Sequence, residues 1–259
     1  MSCLFCDIAT SRVNNPGPED MVLAESESFV VKPGLGQFAL GYSLICSRRH
    51  VPNMAALSIS ELDELEVVAG VFSKRLEAMT GKRVVRFEHG TCSSTHAGSC
   101  LDHAHLHLLP MPADVDPAVT VRAACERVDR LRDLRRFAER ESSYLYIESS
   151  ATDRCAFVIH ESLPSQYMRR TYCDRLGMSD FWDWAVFPFA QKIREFISMY
   201  DQCSTGQAWK KHICAAGRQR DSVSFQREPT SRRECDQVGG GRVVAENGRE
   251  DSPSIRRRM

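Results

Sequence analysis

The chain has 259 residues, 42% of them hydrophobic and 26% charged, and its 34 basic and 34 acidic residues leave it formally neutral. Such a composition fits a globular chain with one sizeable core and an extension. The neutral balance excludes a global electrostatic pull toward nucleic acid or membrane surfaces. No apolar run approaches the roughly 20 residues of a membrane-spanning helix. The opening Met1-Ser2-Cys3-Leu4-Phe5-Cys6 has no basic stretch followed by an apolar one, so no export signal is expected. The eleven cysteines are then expected to be reduced, and the location cytoplasmic.

Residues 1–20 carry Cys3-x-x-Cys6 and a loop at Asn14-Asn15-Pro16-Gly17-Pro18. Residues 21–31 read as strand, interrupted by a turn at 25–28, and residues 40–47 read as a second strand. A helix begins at Ser58 or Ser60, carries Leu62, Leu65, Val68, Phe72 and Leu76 at helical spacing, and ends at Gly81. A strand is expected over 84–88, a polar loop over 91–98, and a strand over 101–109 stopped by Pro110. The next section reads as a charged helix over 117–140 with Asp116 as N-cap and Pro117 at its first position. Two strands over 144–148 and 156–160, joined by a turn, follow it. Then come a helix over 164–176 stopped by Gly177, two tryptophans (Trp182 and Trp184) expected in the core, and a helix over 190–200. Beyond residue 203 apolar residues lose any period, and the composition is that of a disordered tail.

The order of elements predicts an α+β fold: an antiparallel sheet with one long helix, plus a C-terminal α/β extension. The expected division is a domain over 1–112, an extension over 113–202 and a tail over 203–259.

The chemistry concentrates in Asp102-His103-Ala104-His105-Leu106-His107-Leu108-Leu109-Pro110. Along a strand, alternate residues share a face, so His103, His105 and His107 are expected on one exposed face, with Ala104, Leu106 and Leu108 in the core. Two chemistries suit such a row. Imidazoles can hold zinc with an open coordination position. Alternatively, a neutral imidazole can attack phosphorus and form a covalent intermediate that water resolves, while neighbouring donors stabilise the phosphoryl oxygens.

The run His103-Ala104-His105-Leu106-His107-Leu108-Leu109, an alternation of histidine with apolar residues before a proline, resembles the signature of the histidine-triad (HIT) family of nucleotide hydrolases and transferases. The resemblance covers about residues 3–112 and includes Cys3-x-x-Cys6, the strand over 40–47 followed by His50, and Ala97-Gly98 before the triad. It implies a HIT-like fold, His105 as catalytic nucleophile, and His107 as the catalytic partner that holds the phosphate. It also implies a nucleotide substrate, of purine type by preference, and a homodimer. Histidine rather than glutamine at position 107 favours hydrolysis over transfer. By the same resemblance, Cys3, Cys6, His50 and His103 would hold a structural zinc. No organic cofactor is implied.

The match has departures. Tyr42 follows Gly41 where many members have histidine, and the run before the triad is Gly98-Ser99-Cys100 where Gly-Gln-Ser is common. Ser99 and Cys100 are therefore the expected phosphate contacts, altered from the usual ones. Glu88, His89 and His96 flank this loop. In the extension, Gln166 with Arg169 or Arg170 at a helix start is expected to reach the substrate, since arginine forks and helix N-termini suit phosphate. The reading is hydrolysis of a nucleoside phosphoramidate, dinucleoside polyphosphate or related ester through a nucleotidyl-His105 intermediate. Two rivals stand beside it: a metal-dependent hydrolase with the triad as ligands, and a non-catalytic nucleotide-binding module. The neutral charge counts against action on nucleic-acid ends.

Overall fold

Side chains alternate across an extended strand, and that alternation builds this molecule around one sheet with two covered faces. The computed structural model describes residues 3–14, 16–92, 97–99, 101–116, 123–150 and 153–202. The chain divides into two compact units, 1–222 and 223–259, and all the described residues lie in the first. The strands are β1 (Ala24–Glu25), β2 (Phe29–Pro33), β3 (Ser43–Ser47), β4 (Arg83–Gly90), β5 (His105–Met111), β6 (Cys125–Arg127), β7 (Tyr144–Ser150) and β8 (Asp153–Val158). They form an eight-stranded sheet in the order β1-β2-β3-β5-β4-β7-β8-β6, with every neighbouring pair antiparallel. The α+β fold with an antiparallel sheet and one long helix is the observed one.

The long helix is α2 (Ile59–Thr80). Ser58 starts it: its Oγ accepts from the Glu61 N–H at 3.2 Å, and its own N–H donates to Glu61 Oε2 at 2.7 Å. This reciprocal pair satisfies two of the orphan amides at a helix start. Gly81, at φ 66°, closes the helix in a left-handed conformation that a side chain would resist. The stripe Leu62, Leu65, Val68, Phe72 and Leu76 packs on one face of the sheet with Val31, Ile45, Val84, Leu106 and Leu108. The other face carries Val30, Leu44, Cys46, Phe87, Leu109 and Leu145. It is covered by α1 (Leu4–Ala9) through Phe5 and Ile8, and by α4 (Tyr167–Arg175) through Met168 and Tyr172.

Several expectations change. Strand β5 begins only at His105 and runs through Pro110 to Met111. The proline fits because β3, the neighbour on one side, has already ended at the pair Ser43↔Leu108, so no ladder bond is lost there. The described part of the helix expected over 117–140 is not one continuous helix. Residues 117–122 lie outside the described residues, Cys125–Arg127 is strand β6 paired with β8, and only Leu131–Leu134 and α3 (Arg135–Glu139) are helical turns. The buried residues there are Val128, Leu131, Leu134 and Phe137. That spacing of three suits short 3₁₀ turns, not a continuous α-helix. The helix expected from residue 164 begins at Tyr167. Trp182 and Trp184 are half-buried rather than core residues, and the Arg170 guanidinium lies over the Trp182 ring. Cys125 on β6 and Cys155 on β8 are brought together by the strand pairing, with their Cα atoms 5.8 Å apart. Cys3, Cys6, Cys46, Cys92 and Cys173 are free. The boundary expected at residue 112 does not separate two sheets, because β7, β8 and β6 continue the sheet beyond β4. The last helix, α5 (Ala190–Gln202), buries Ile193, Phe196 and Tyr200. The tail beyond residue 203 lies outside the described residues.

One buried acid stands out on the α2 side. Glu88 is 2% exposed. It accepts from the Met54 N–H and the Tyr144 hydroxyl, each at 2.5 Å, with Cys92 nearby. Burial pushes its carboxyl up to about 7 against the opposing pull of those two donors. The folded state therefore holds a proton that the unfolded chain, titrating near 4.5, has lost. Stability falls as pH rises through that window, by about 3 kcal/mol at ~1.36 kcal/mol per pH unit. Denaturant unfolding at about pH 5 and about pH 7.5 should show this decline in the wild type and a flatter dependence in Glu88→Gln. Equal slopes in the two proteins would refute the assignment.

Candidate functional site

The site starts from backbone pairing. Cys46↔His105 and Leu44↔His107 align β3 with β5, and Phe87↔His107 aligns β4. His105, His107 and Phe87 thus share the face covered by α1 and α4. The face expected to be exposed is buried: His105 and His107 are each 6% exposed. The Phe5 ring lies edge-on against His105, with centroids 5.1 Å apart, and Phe87 stacks on His107 at 4.3 Å.

His103 lies before the strand and turns away from the other two. Its Nδ1 meets Cys3 Sγ at 3.3 Å, Cys6 Sγ at 3.7 Å and His50 Nδ1 at 3.2 Å, and Cys6 Sγ is 3.4 Å from His50 Nδ1. All four ligand atoms lie within 4.8 Å of one another. Tetrahedral ligands at Zn–S of about 2.3 Å and Zn–N of about 2.0–2.1 Å stand roughly 3.3–3.8 Å apart, so the residues present fit a metal of that kind. The rest of the His103 ring fits too. Nε2–H donates to the Ser47 carbonyl at 2.7 Å, which leaves the Nδ1 lone pair facing the cluster. Cys3-x-x-Cys6 supplies its pair from the start of α1, and His50 follows β3.

The same segment orients His105. The His103 carbonyl lies 2.6 Å from His105 Nδ1. A carbonyl only accepts, so Nδ1 carries the proton and Nε2 keeps its lone pair. Burial pushes the His105 imidazole down to about 4, against the opposing pull of the hydrogen bond to the His103 carbonyl. His107 is driven down as well, first by burial and then by His105, His89 and Arg169. Its Nδ1 lies 2.5 Å from the Tyr42 hydroxyl. Its Nε2 is buried without a hydrogen-bond partner among the described residues.

The remaining expected contacts are placed as follows. Ser99 is buried and its hydroxyl donates to the Leu101 carbonyl at 2.8 Å. Cys100 and His96 lie outside the described residues. Gln166 sits against the pre-triad loop, its N–H donating to the Gly98 carbonyl at 2.8 Å, while its side chain meets Asp183 and the Trp184 N–H. Arg169 is 3% exposed. Its guanidinium donates to the carbonyls of Leu35, Gly36 and Trp182, and it lies over the rings of Phe38 and Tyr42. Arg170 donates to the Ser165 carbonyl.

His89 was expected only to flank the loop, and two further residues, Phe5 and Lys32, escaped sequence reasoning. His89 lies edge-on to His107 at 5.6 Å and accepts from the Met168 N–H, whereas Glu88 points to the opposite face. Phe5 packs on both His103 and His105. Lys32 is fully buried, with Nζ donating to the Pro33 carbonyl at 3.0 Å and lying 5.8 Å from the Phe5 ring centroid. Burial lowers its ammonium below the ordinary range. The available signal was period two: Lys32 pairs with Leu44, which pairs with His107, so all three share a face.

Among the described residues no helix is long and apolar enough to cross a membrane. No family model matches the sequence, and no curated protein matches it. Solved structures similar to this chain include histidine-triad proteins. A HIT family protein from Bacillus anthracis is 19% identical over 48% of this chain and 82% of its own, with a TM-score of 0.38. A Zn-bound histidine triad family protein from Mycobacterium smegmatis is 16% identical over 54% and 93%, at 0.37. A HIT family hydrolase from Clostridium thermocellum is 24% identical over 46% and 97%, at 0.36. Each of these likenesses spans about half of this chain.

Proposed function

We propose that the chain hydrolyses a nucleotide at its α-phosphorus through a covalent nucleotidyl-His105 intermediate. The observation that carries this reading is the 2.6 Å contact of His105 Nδ1 with the His103 carbonyl. It commits the proton to Nδ1 and leaves the Nε2 lone pair for attack. In the first step the Nε2–phosphorus bond forms and the bond to the leaving group breaks. In the second, water attacks phosphorus, the N–P bond breaks, and nucleoside monophosphate and neutral His105 are released. His107 Nε2, buried and without a partner among the described residues, is suited to hold a non-bridging phosphoryl oxygen. Ser99 and Cys100 precede the triad and are proposed as further phosphate contacts. Gln166 is proposed to line the site from the extension, by its contact with Gly98. Arg169 spends its donors on three carbonyls, so its proposed part is to add positive charge beside His107. A phosphoramidate, a dinucleoside polyphosphate or a related ester of a purine nucleotide would serve as substrate. A homodimer and a cytoplasmic setting remain part of the reading.

Zinc, when bound, would supply a structural crosslink from α1 and the His50 loop to the start of the triad strand, through Cys3, Cys6, His50 and His103. Four protein ligands leave no open position for a substrate, which favours this role over a metal-dependent hydrolase with the triad as ligands. The chain's own residues then perform the chemistry.

The test is nucleoside monophosphate release from an adenosine phosphoramidate, a dinucleoside tetraphosphate and a nucleoside diphosphate sugar. His105→Ala should lose at least about 10³-fold in turnover, the scale of removing a nucleophile. Rapid quenching of the wild type should yield a nucleotidylated protein by mass. Turnover that survives in His105→Ala would sink the mechanism. Nucleotide binding without turnover on any substrate would replace it by the binding-module reading. For the metal, elemental analysis should find about one zinc per chain, falling in Cys6→Ser and His50→Ala together with the melting temperature. Full zinc content in both variants would remove these residues as ligands.

A further inference from the structure

We propose that Tyr42 is a positioning residue that fixes His107 in its Nε2–H tautomer, so that His105 and His107 present opposite forms to a substrate: a lone pair on one and a donor on the other. The inference deepens the proposed function and rests on His105 being the nucleophile.

The geometry is local and specific. The Tyr42 hydroxyl lies 2.5 Å from His107 Nδ1, and the two rings are nearly parallel, at 11°. Tyr42 is 1% exposed. A buried hydroxyl costs free energy unless it is hydrogen-bonded, so packing alone would be served as well by phenylalanine. A phenol, with a pKa near 10, is a far better proton donor than a neutral imidazole N–H. The hydroxyl therefore donates and Nδ1 accepts. The His107 proton is then on Nε2, the atom that is buried without a partner among the described residues. A donor left unpaired inside a protein awaits an acceptor, and a phosphoryl oxygen is one. His105 is set the other way by the His103 carbonyl. Two adjacent imidazoles of one strand are thereby assigned different chemistry by their Nδ1 partners alone.

The structure holds the tyrosine firmly. A Cβ on Gly34 would strike the Tyr42 ring well inside van der Waals contact, so only glycine allows the ring this position. The Tyr42 carbonyl accepts from the Gly34 N–H at 2.9 Å and from Gln37 Nε2 at 3.1 Å. The Phe38 ring lies 5.1 Å from the Tyr42 ring, and the Arg169 guanidinium lies 5.5 Å from it.

The experiment reads tautomers directly. In the full-length chain labelled with ¹⁵N-histidine, two-bond ¹H–¹⁵N correlations distinguish Nδ1–H from Nε2–H, with His107 assigned by its loss in His107→Gln. The wild type should show His107 as Nε2–H and His105 as Nδ1–H. In Tyr42→Phe, His107 should populate the Nδ1–H form while His105 stays as it is. In the hydrolysis assay the same variant should lose about 10- to 100-fold in kcat, the range of a lost orienting partner, with KM within about 3-fold. A wild-type His107 in the Nδ1–H form overturns the proposal, and that spectrum decides even if Tyr42→Phe fails to fold. A Tyr42→Phe protein with an unchanged His107 tautomer overturns it too. The tautomer readout needs no turnover. Inactivity toward every nucleotide would count against the hydrolase reading and leave the tautomer result to decide this one.

Discussion

A single backbone carbonyl, that of His103, is the constraint on which the rest of the site depends. It accepts from His105 Nδ1, so the direction of the peptide at residue 103 sets which nitrogen of His105 keeps its lone pair. That peptide is held from several sides. The Ala104 N–H donates to the Val51 carbonyl, the Ala104 carbonyl accepts from the Ser47 N–H, and the His103 ring donates to the Ser47 carbonyl. The ring's other nitrogen faces Cys3, Cys6 and His50. A metal there would lock the same residue from its side-chain end. The candidate metal centre and the candidate nucleophile are thus two ends of one residue, and rigidity at one end is transmitted to the other over a few bonds.

The sheet explains why these groups are both precise and dry. Antiparallel pairing fixes which residues stand side by side, and a slip of one residue would turn every side chain to the other face. The β3–β5–β4 register sets His107 between Leu44 and Phe87. The face is then closed by Phe5 from α1 and by Met168 and Tyr172 from α4. The opposite face is anchored by α2, where Arg86 reaches from β4 to Ser73 and the Ala69 carbonyl on the helix and pairs with Glu148 on β7. Breaking such a half-buried pair would leave a charge uncompensated, so the pairing of β4 with β7 is guarded where the extension begins.

Much of this was legible in the sequence. The helical stripe from Leu62 to Leu76 and the Ser58–Glu61 pair are signals within a few residues, and they give α2. The alternation from His103 to Leu109 gives the strand and its two faces. The four candidate metal ligands, spread from Cys3 to His103, converge as the resemblance implied. What failed depended on contacts far apart in sequence. Residues 125–127 form a strand only because β8 lies beside them, and the spacing of three from Val128 to Phe137 reads easily as a helix when the partner is unseen. The burial of the histidine face is set by α1 and α4, neither adjacent to β5 in sequence. Lys32 sits in a run of strand residues, and its place beside the triad follows from cross-strand register. Tyr42 was visible as a departure, but its meaning required the distance to His107.

The extension packs against the candidate site through these same long-range contacts. Its strands continue the sheet, and the Gln166 N–H binds the Gly98 carbonyl just before the triad. Arg169 donates to the carbonyls of Leu35 and Gly36, in the loop between β2 and β3 that leads to Tyr42. A loop of this length would ordinarily be adaptable, yet Tyr42 must hold its hydroxyl within a few tenths of an ångström of His107 Nδ1 to direct a proton. The arginine makes that possible by satisfying carbonyls that no strand partner reaches, while its planar face covers the Phe38 and Tyr42 rings. Arg169, expected to meet the substrate from the extension, instead holds the loop that carries Tyr42, and on the proposed reading it would act on the chemistry only through that hydroxyl.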